Sequence, residues 1–419
     1  MYVHYSFFRR QKQDISICFF QKFLKGPTGP EASRMRILHT SDWHIGKRLM
    51  GRERLKEQSA VLDEIVQICD REEVELVLIA GDIFDTYLPS AEAEDLFFTK
   101  IKAVAGKERA VVLISGNHDD GVRLSASAPL SEELGIYIVG NSRREIPLTS
   151  HRKVRPVRAG KGFAVFENER GERAFINALP YPNEARFKEE KSDLPFSERM
   201  KKWIDEGEEG NTEHLPSVFL SHIFVAGGVT SESEREIDLG GARAVPLEVL
   251  PKCDYIALGH LHKRQHMGKG NCYYSGSPLQ YSFDEANGEK GVKIFDLTEK
   301  GVENLRDVFL TSGRKLVRLE ADSPARAEEL LSLYPESLAE VRLHLTSPLT
   351  SAESASLSAH ENLVSLIAEV REEGTLEFQS RKGFSDSKLF EEFYRSQYRE
   401  EPKEELTALF LSAIQELEE

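Results

Sequence analysis

Five short stretches of the sequence put metal-ligand side chains directly after apolar runs of strand length: Asp42-Trp43-His44, Gly81-Asp82-Ile83-Phe84-Asp85, Gly116-Asn117-His118-Asp119, Ser221-His222 and Gly259-His260-Leu261-His262. Taken singly, each is weak. A lone histidine is more often an ordinary surface or core residue than a ligand. G-N-H reads equally as a turn after a strand, and G-D-x-x-D as a turn with a helix cap. The ordered recurrence carries the information: strand then Asp/His, strand then Asp, strand then Asn-His, later a His, then His-x-His. Mixed carboxylate, imidazole and amide-oxygen donors, with no thiolate among them, suit Mn²⁺, Mg²⁺ or Fe²⁺ better than a structural Zn²⁺ site. One carboxylate shared between two such ions would hold them ~3.5–4 Å apart, the geometry of two-metal phosphoester cleavage.

Residues so far apart in sequence meet only if the strands before them end on one side of a sheet. The pattern predicts such strands. Arg36–Thr40 and the buried runs Leu76–Ala80 and Ala110–Ser115 alternate with helices over Glu53–Glu72, whose Leu55, Leu62, Ile65, Val66 and Cys69 share a face, and Ala91–Val104. Alternating β and α elements predict a layered α/β fold, a central sheet covered by helices. Further strands at Phe163–Glu167, Ala174–Ala178, Val218–Ser221, Tyr255–Leu258, Cys272–Tyr274 and Val292–Asp296 are expected to form a second sheet layer.

After Gly313 the pattern restarts as strand Leu316–Glu320, helix Ala325–Leu333, strand Glu340–Thr346, helix Ser358–Glu372 and strand Leu376–Gln379, a small α+β domain over 313–383. Residues 384–419 read as two amphipathic helices. The first, Asp386–Tyr398, carries Leu389, Phe390, Phe393 and Tyr394. Beyond Pro402 the second aligns Leu406, Leu409, Phe410, Ala413, Ile414 and Leu417 on one face. Such helices normally close over their own core, but a hinged aromatic pair at a terminus also suits docking on another chain's helices.

With 419 residues the chain can form two or three domains, and no apolar run approaches the ~18–20 residues that span a bilayer. Its four cysteines are scattered without a C-x-x-C pair, which points to a reducing cytoplasm. The formal charge of −15 divides into +4 over residues 1–34, −9 over 35–312 and −10 over 313–419. That balance argues against a broad nonspecific nucleic-acid footprint, so any such binding must be local, metal-assisted or shared with a partner. Residues 1–34 show no sustained period and are expected to be a disordered or non-native extension, with translation starting at Met35.

The stretches T-S-D-W-H-I-G-K at 40–47, G-D-I-F-D at 81–85, S-G-N-H-D at 115–119, S-H-I-F-V-A-G-G at 221–228, G-H-L-H at 259–262 and S-G-S-P-L-Q-Y-S-F at 275–283 resemble the calcineurin-like metallophosphoesterases, and among them the nuclease subunits of bacterial SbcCD type. The match runs from Met35 through at least Phe283. The resemblance implies a metallophosphoesterase sandwich of two central sheets flanked by helices over 35–312, a capping domain over 313–383 and partner-binding helices over 384–419. It implies two Mn²⁺, with Mg²⁺ or Fe²⁺ as substitutes. Asp42, His44, Asp82 and His262 would hold one ion, and Asp82, Asn117, His222 and His260 the other, with Asp82 bridging. His118 would address the scissile phosphate, with Asp85 as its orienting partner. An imidazole is suited to stabilise or protonate a leaving oxygen near neutral pH.

The resemblance further implies duplex-end exonuclease and hairpin endonuclease activity in DNA repair, recombination and replication. It implies an SbcC-type ATPase partner on the terminal helices, a homodimer within a heterotetramer, and a cytoplasmic, nucleoid-associated location. Lys47, Arg48 and Arg123 follow metal motifs and are candidates for flanking DNA phosphates, although most surface cations only solvate. Two other functions compete: a dinuclear phosphatase or phosphodiesterase acting on nucleotides or other small phosphoesters, mildly favoured by the acidic balance, and a non-enzymatic scaffold on a dead fold. The scaffold would show lost ligands, and none of the seven positions is altered.

Overall fold

The computed structural model describes residues 33–141, 144–182, 194–234 and 244–370, together with isolated positions between 387 and 411. Strand β1 (Met35–Thr40) is followed by α1 (Leu55–Arg71), β2 (Leu76–Ala80), α2 (Ala91–Ala105), β3 (Ala110–Ile114), the short helices α3 (Gly121–Ser125) and α4 (Ala128–Glu132), and β4 (Ile136–Val139). The four strands run parallel in that order. Because side chains alternate along a strand, Leu76, Leu78 and Ala80 enter one core while Val77 and Ile79 enter another. The second core is closed by Val61, Leu62, Ile65, Ile68 and Cys69 of α1 and by Phe97, Ile101 and Val104 of α2. Ser90 starts α2 by accepting a hydrogen bond from the Ala93 amide.

The seven-stranded second sheet comprises β5 (Arg155–Gly160), β6 (Phe163–Glu167), β7 (Arg173–Leu179), β8 (Ser217–His222), β9 (Tyr255–Gly259), β10 (Gln265–His266) and β11 (Cys272–Tyr274), with α5 (Phe196–Glu208) between β7 and β8. Its central strands β7, β8, β9 and β11 are parallel. The two sheets face each other across a shared core of Ile37, Leu78, Val112, Phe166, Ile176, Leu220 and Tyr255. Met200, Trp203 and Ile204 of α5 cover the outer face of the second sheet. The result is the layered α/β sandwich expected, helices outside and two sheets within.

One strand sits in the other sheet. The sequence pattern puts Val292–Asp296 in the second layer, but β12 (Gly291–Thr298) runs antiparallel beside β1, with Ile37 opposite Phe295, and β13 (Gly301–Phe309) completes the six-stranded first sheet. Nearly every residue of β12 is buried, so its sequence carries no face signal to say which sheet it joins. Arg34, within the expected extension, ion-pairs with Asp296 of β12 at 2.9 Å; residues 1–32 of that extension lie outside the described residues.

After Gly313 the elements follow the expected order, with one reassigned. β14 (Leu316–Ala321), α6 (Pro324–Leu333) and β15 (Leu338–Leu345) follow the expectation, but α7 (Ser351–Ser358) and β16 (Leu363–Val370) replace the single helix expected over Ser358–Glu372. Leu363, Leu366, Ile367 and Val370 fall at helical spacing, which misleads. The physical start signal lies earlier, in the Thr350–Glu353 capping box that begins α7. Leu316 and Leu338 pack with Leu49 and Phe283, which seats these strands against the loop after β1.

A second compact unit combines His344–Pro348 with Glu369–Glu419. Within it the described positions 387, 390, 391, 394, 395, 406, 407 and 409–411 are helical, and Phe390 stacks on Phe410 at 4.1 Å between ring centroids. The other positions of both expected helices, and the expected strand Leu376–Gln379, lie outside the described residues. No helix among the described residues is long and apolar enough to cross a membrane.

Candidate metal centre

The parallel strands β1, β2 and β3 of one sheet and β8 and β9 of the other end on the same side, and each delivers its motif there. The loops are laced by backbone hydrogen bonds: the Asp42 amide donates to the Gly81 carbonyl at 3.0 Å, His44 to Asp82 at 3.0 Å and Ile45 to Ile83 at 2.9 Å. Asp119 finishes the lacing, its carboxylate accepting from the amides of Ile83, Phe84 and Gly116 at 3.1, 3.0 and 2.8 Å. Close approach demands glycine here. A Cβ on Gly116 would lie 2.0 Å from Asp82 Oδ1, and one on Gly259 1.8 Å from the Ala80 carbonyl oxygen.

All seven expected ligands are brought together and buried. Asp82 sits between two groups of imidazoles: its Oδ2 is 3.4 Å from His44 Nε2 and 3.4 Å from His222 Nε2. On one side His262 Nε2 lies 3.0 Å from His44 Nε2, and Asp42, His44 and His262 form a metal-competent group. On the other, Asn117 Oδ1 lies 2.8 Å from His222 Nε2 and 3.0 Å from His260 Nδ1. Four of these residues have left-handed backbone, with φ of 53° at Asp42, 44° at His44, 51° at Asp82 and 108° at His260. Non-glycine residues rarely adopt that region, and such strain persists only where the surroundings enforce it.

The electrostatics fit cations. Burial holds His44 near a pKa of about 4 and His260 near about 3, so both are neutral at pH 7. Burial also works against charge on Asp82, but His222 and His118 overcome it and hold its carboxyl well below the usual range. Ring nitrogens converge at hydrogen-bond distance with few protons to share, and the buried His260 Nε2 has no hydrogen-bond partner. A set of buried, convergent nitrogen and oxygen lone pairs is the donor set that divalent cations satisfy.

His118 is also at the centre, its Nδ1 at 2.7 Å from the Asp85 backbone carbonyl oxygen. The Asp85 carboxylate faces elsewhere: Oδ1 is 3.3 Å from His44 Nδ1, 2.9 Å from Lys47 Nζ and 3.8 Å from His118 Nδ1. Of the three cations proposed for DNA, Lys47 thus stands inside the site. Arg48 pairs with Glu53, and Arg123 pairs with Glu94 at 2.7 Å on the surface.

The profile of the calcineurin-like phosphoesterase family matches residues 35–264, which span every ligand named above. The chain belongs to this family. Within this phosphoesterase family it is 41% identical over 299 residues to the SbcD subunit of the SbcCD nuclease of Bacillus subtilis, covering 68% of this chain and 72% of the relative. It is 35% identical over 325 residues to the SbcD protein of Rhodobacter capsulatus, covering 71% and 75%. The SbcD protein of Staphylococcus epidermidis is 29% identical over 296 residues, covering 69% and 73%. These similarities place the chain among the SbcD nuclease subunits.

The phosphoesterase centre has supports that the motifs did not reveal. Gln58 of α1 donates to the His44 carbonyl at 2.9 Å and accepts from the Gly46 amide at 3.0 Å. Tyr281 donates to the Trp43 carbonyl. Ser233, Glu234, Glu285 and Lys290 surround His262. Of these, Tyr281 lies within the quoted stretch at 275–283, and Glu285 had a readable signal as the fourth residue of the capping box Ser282-Phe283-Asp284-Glu285.

Proposed function

We propose that the chain is a metal-dependent DNA nuclease subunit that hydrolyses phosphodiester bonds at this centre and works with an SbcC-type ATPase. The observation that carries the reading is the placement of Asp82 Oδ2 3.4 Å from a ring nitrogen of each group, where one carboxylate would serve two cations. Asp42, His44, Asp82 and His262 would hold one cation, and Asp82, Asn117, His222 and His260 the other. The family resemblance makes the cations Mn²⁺, with Mg²⁺ or Fe²⁺ as substitutes, and the thiolate-free donor set suits any of the three. When bound, such a pair supplies charge neutralisation and an activated water for hydrolysis.

The chain's own residues do the rest. With Nδ1–H donated to the Asp85 carbonyl, His118 has Nε2 left for the substrate, and as the imidazolium, with a second proton on Nε2, it stabilises or protonates the leaving oxygen and is left neutral. Lys47, one ion pair away from the centre, offsets phosphate charge beside the cut. Asp85 serves His118 through its carbonyl and His44 through its carboxylate. The domain beginning at 313 caps the site and selects DNA shape, while the terminal helices over 384–419 receive the ATPase. A homodimer within a heterotetramer, acting at the nucleoid, completes the assembly. The acidic balance, with 70 Asp and Glu against 55 Lys and Arg, supports sharing the substrate with that partner.

The test is Mn²⁺-dependent cleavage of an end-labelled duplex and a hairpin beside a chromogenic phosphodiester, for the wild type and His118→Ala, with and without the ATPase and ATP. DNA cutting that is lost in the variant supports the reading. Turnover of the small ester with no DNA cutting in the presence of partner and ATP overturns it in favour of a small-molecule phosphoesterase.

A further inference from the structure

His262 makes a second contact away from the ligand cluster. Its Nδ1 lies 2.5 Å from Ser233 Oγ, and that hydroxyl lies 2.7 Å from Glu285 Oε1. Glu285 is buried and firmly held. Its Oε1 also accepts from the amides of Tyr281 and Ser282 at 3.2 and 3.1 Å, and its Oε2 pairs with the Lys290 ammonium. Lys290 donates in addition to the His262 carbonyl and to Ser277 Oγ, each at 2.8 Å. The His262 amide donates to Glu234 Oε1 at 2.7 Å, which fixes the backbone of the same residue.

One arrangement of the protons satisfies every contact, with Ser231 Oγ, 2.8 Å from Ser233 Oγ, as a further donor to that hydroxyl. A carboxylate paired with an ammonium can only accept, so the single hydroxyl proton of Ser233 goes to Glu285. The hydroxyl oxygen then accepts from His262, which must carry its proton on Nδ1. Nε2 is left as a bare lone pair facing His44 Nε2 at 3.0 Å. A histidine bound to a metal commonly donates its other ring nitrogen to a carboxylate, which sets the tautomer and ring angle. Here the carboxylate is 3.9 Å from Nδ1, too far for that bond, and the serine hydroxyl fills the gap.

We propose that Ser233 and Glu285 are positioning residues that hold His262 as the Nδ1–H tautomer, with Nε2 presented to the cation shared with Asp42 and His44. The relay rests on the reading of His262 as a ligand. It explains two otherwise unassigned parts of the sequence: the Ser231–Glu234 run, and the turn that follows S-G-S-P-L-Q-Y-S-F, which places Glu285.

The test uses the full chain and Mn²⁺ itself. Binding is followed by calorimetry and electron paramagnetic resonance, and the His262 tautomer by long-range ¹H–¹⁵N correlation on the metal-free protein, assigned with His262→Ala. Ser233→Ala is expected to weaken one of the two Mn²⁺ ions by about 10–100-fold and leave the other unchanged. It is also expected to mix the His262 tautomers, and Ser233→Thr restores both readouts. Glu285→Gln, which keeps the shape and loses the charge, gives a weaker effect on the same ion. If Ser233→Ala binds both ions as the wild type does and keeps the Nδ1–H signal, while His262→Ala loses one ion, the relay is overturned and the ligand reading stands. If His262→Ala itself keeps both ions, the ligand reading fails and takes the relay with it.

Discussion

His118 Nδ1 lies 2.7 Å from the backbone carbonyl oxygen of Asp85, whereas the carboxylate of that residue stands 3.8 Å away and reaches His44 and Lys47 instead. The two functional groups of Asp85 therefore serve different histidines. His118→Ala should lower kcat by ~10²–10⁴ with metal stoichiometry intact, the span of general acid–base contributions. Asp85→Asn keeps the carbonyl, so its kcat loss should be much the smaller, and its main effect should be weaker Mn²⁺ binding through His44. Steady-state kinetics with metal titration separate the two. Equal kcat losses with unaltered metal affinity in Asp85→Asn would mean that the carboxylate governs His118.

Cation binding should release protons. Burial pulls His222 down, but the charge and hydrogen bond of Asp82, with Asp42, overcome this and raise it to about 9. Burial pushes Asp42 up to about 8, against the pull of His222. Without cations the His222–Asp42 pair holds at least one proton at pH 7 that a cation must displace, so affinity should climb between pH 6.5 and 9, with about one proton released. The sign for stability is opposite in the cation-free protein. Both folded pKa values lie above their unfolded ones, the native state binds more protons in this window, and stability falls as pH rises through it. Calorimetry in buffers of different ionisation enthalpy measures the release; a heat independent of buffer contradicts it.

Gln280 should matter for the seating of β14 more than for chemistry. Its Oε1 accepts from the Leu316 amide at 2.7 Å, and its Nε2 donates to the carbonyls of Glu285, Ala286 and Gly288 at 2.9, 3.1 and 3.0 Å. Gln280→Ala leaves these groups without that partner, at ~1–3 kcal/mol for each that stays buried and unsatisfied. Faster hydrogen exchange at Leu316 and across β14, with little change around β2 and β3, is the expected result. Unchanged exchange at β14 would show that the packing of Leu49, Phe283 and Leu338 suffices.

The residues that converge were legible in the sequence because each follows a strand buried on both faces, and an apolar run ending in Asp, Asn or His is a pattern that survives without coordinates. Which sheet a strand joins is not written locally. Val292–Asp296 is apolar enough for either layer, and only its antiparallel return beside Met35–Thr40 decides. Leu363–Val370 fits helical spacing as well as a strand, and pairing in the small sheet overrides that pattern. The supports of the centre were less legible still. Ser233 acts through one hydroxyl and Gln58 through one amide, and neither residue type stands out before the chain has folded. The Asp85 carbonyl has no sequence signal at all, since every residue has one.

The central claim is that Asp82 bridges two ions. With Mn²⁺, two ions about 3.5–4 Å apart are magnetically coupled, and electron paramagnetic resonance of the loaded protein reports that coupling directly. A coupled pair is expected in the wild type, and in Asp82→Asn its loss together with weakened binding of both ions. Two uncoupled ions in the wild type, or a coupled pair that persists in Asp82→Asn, would contradict the claim.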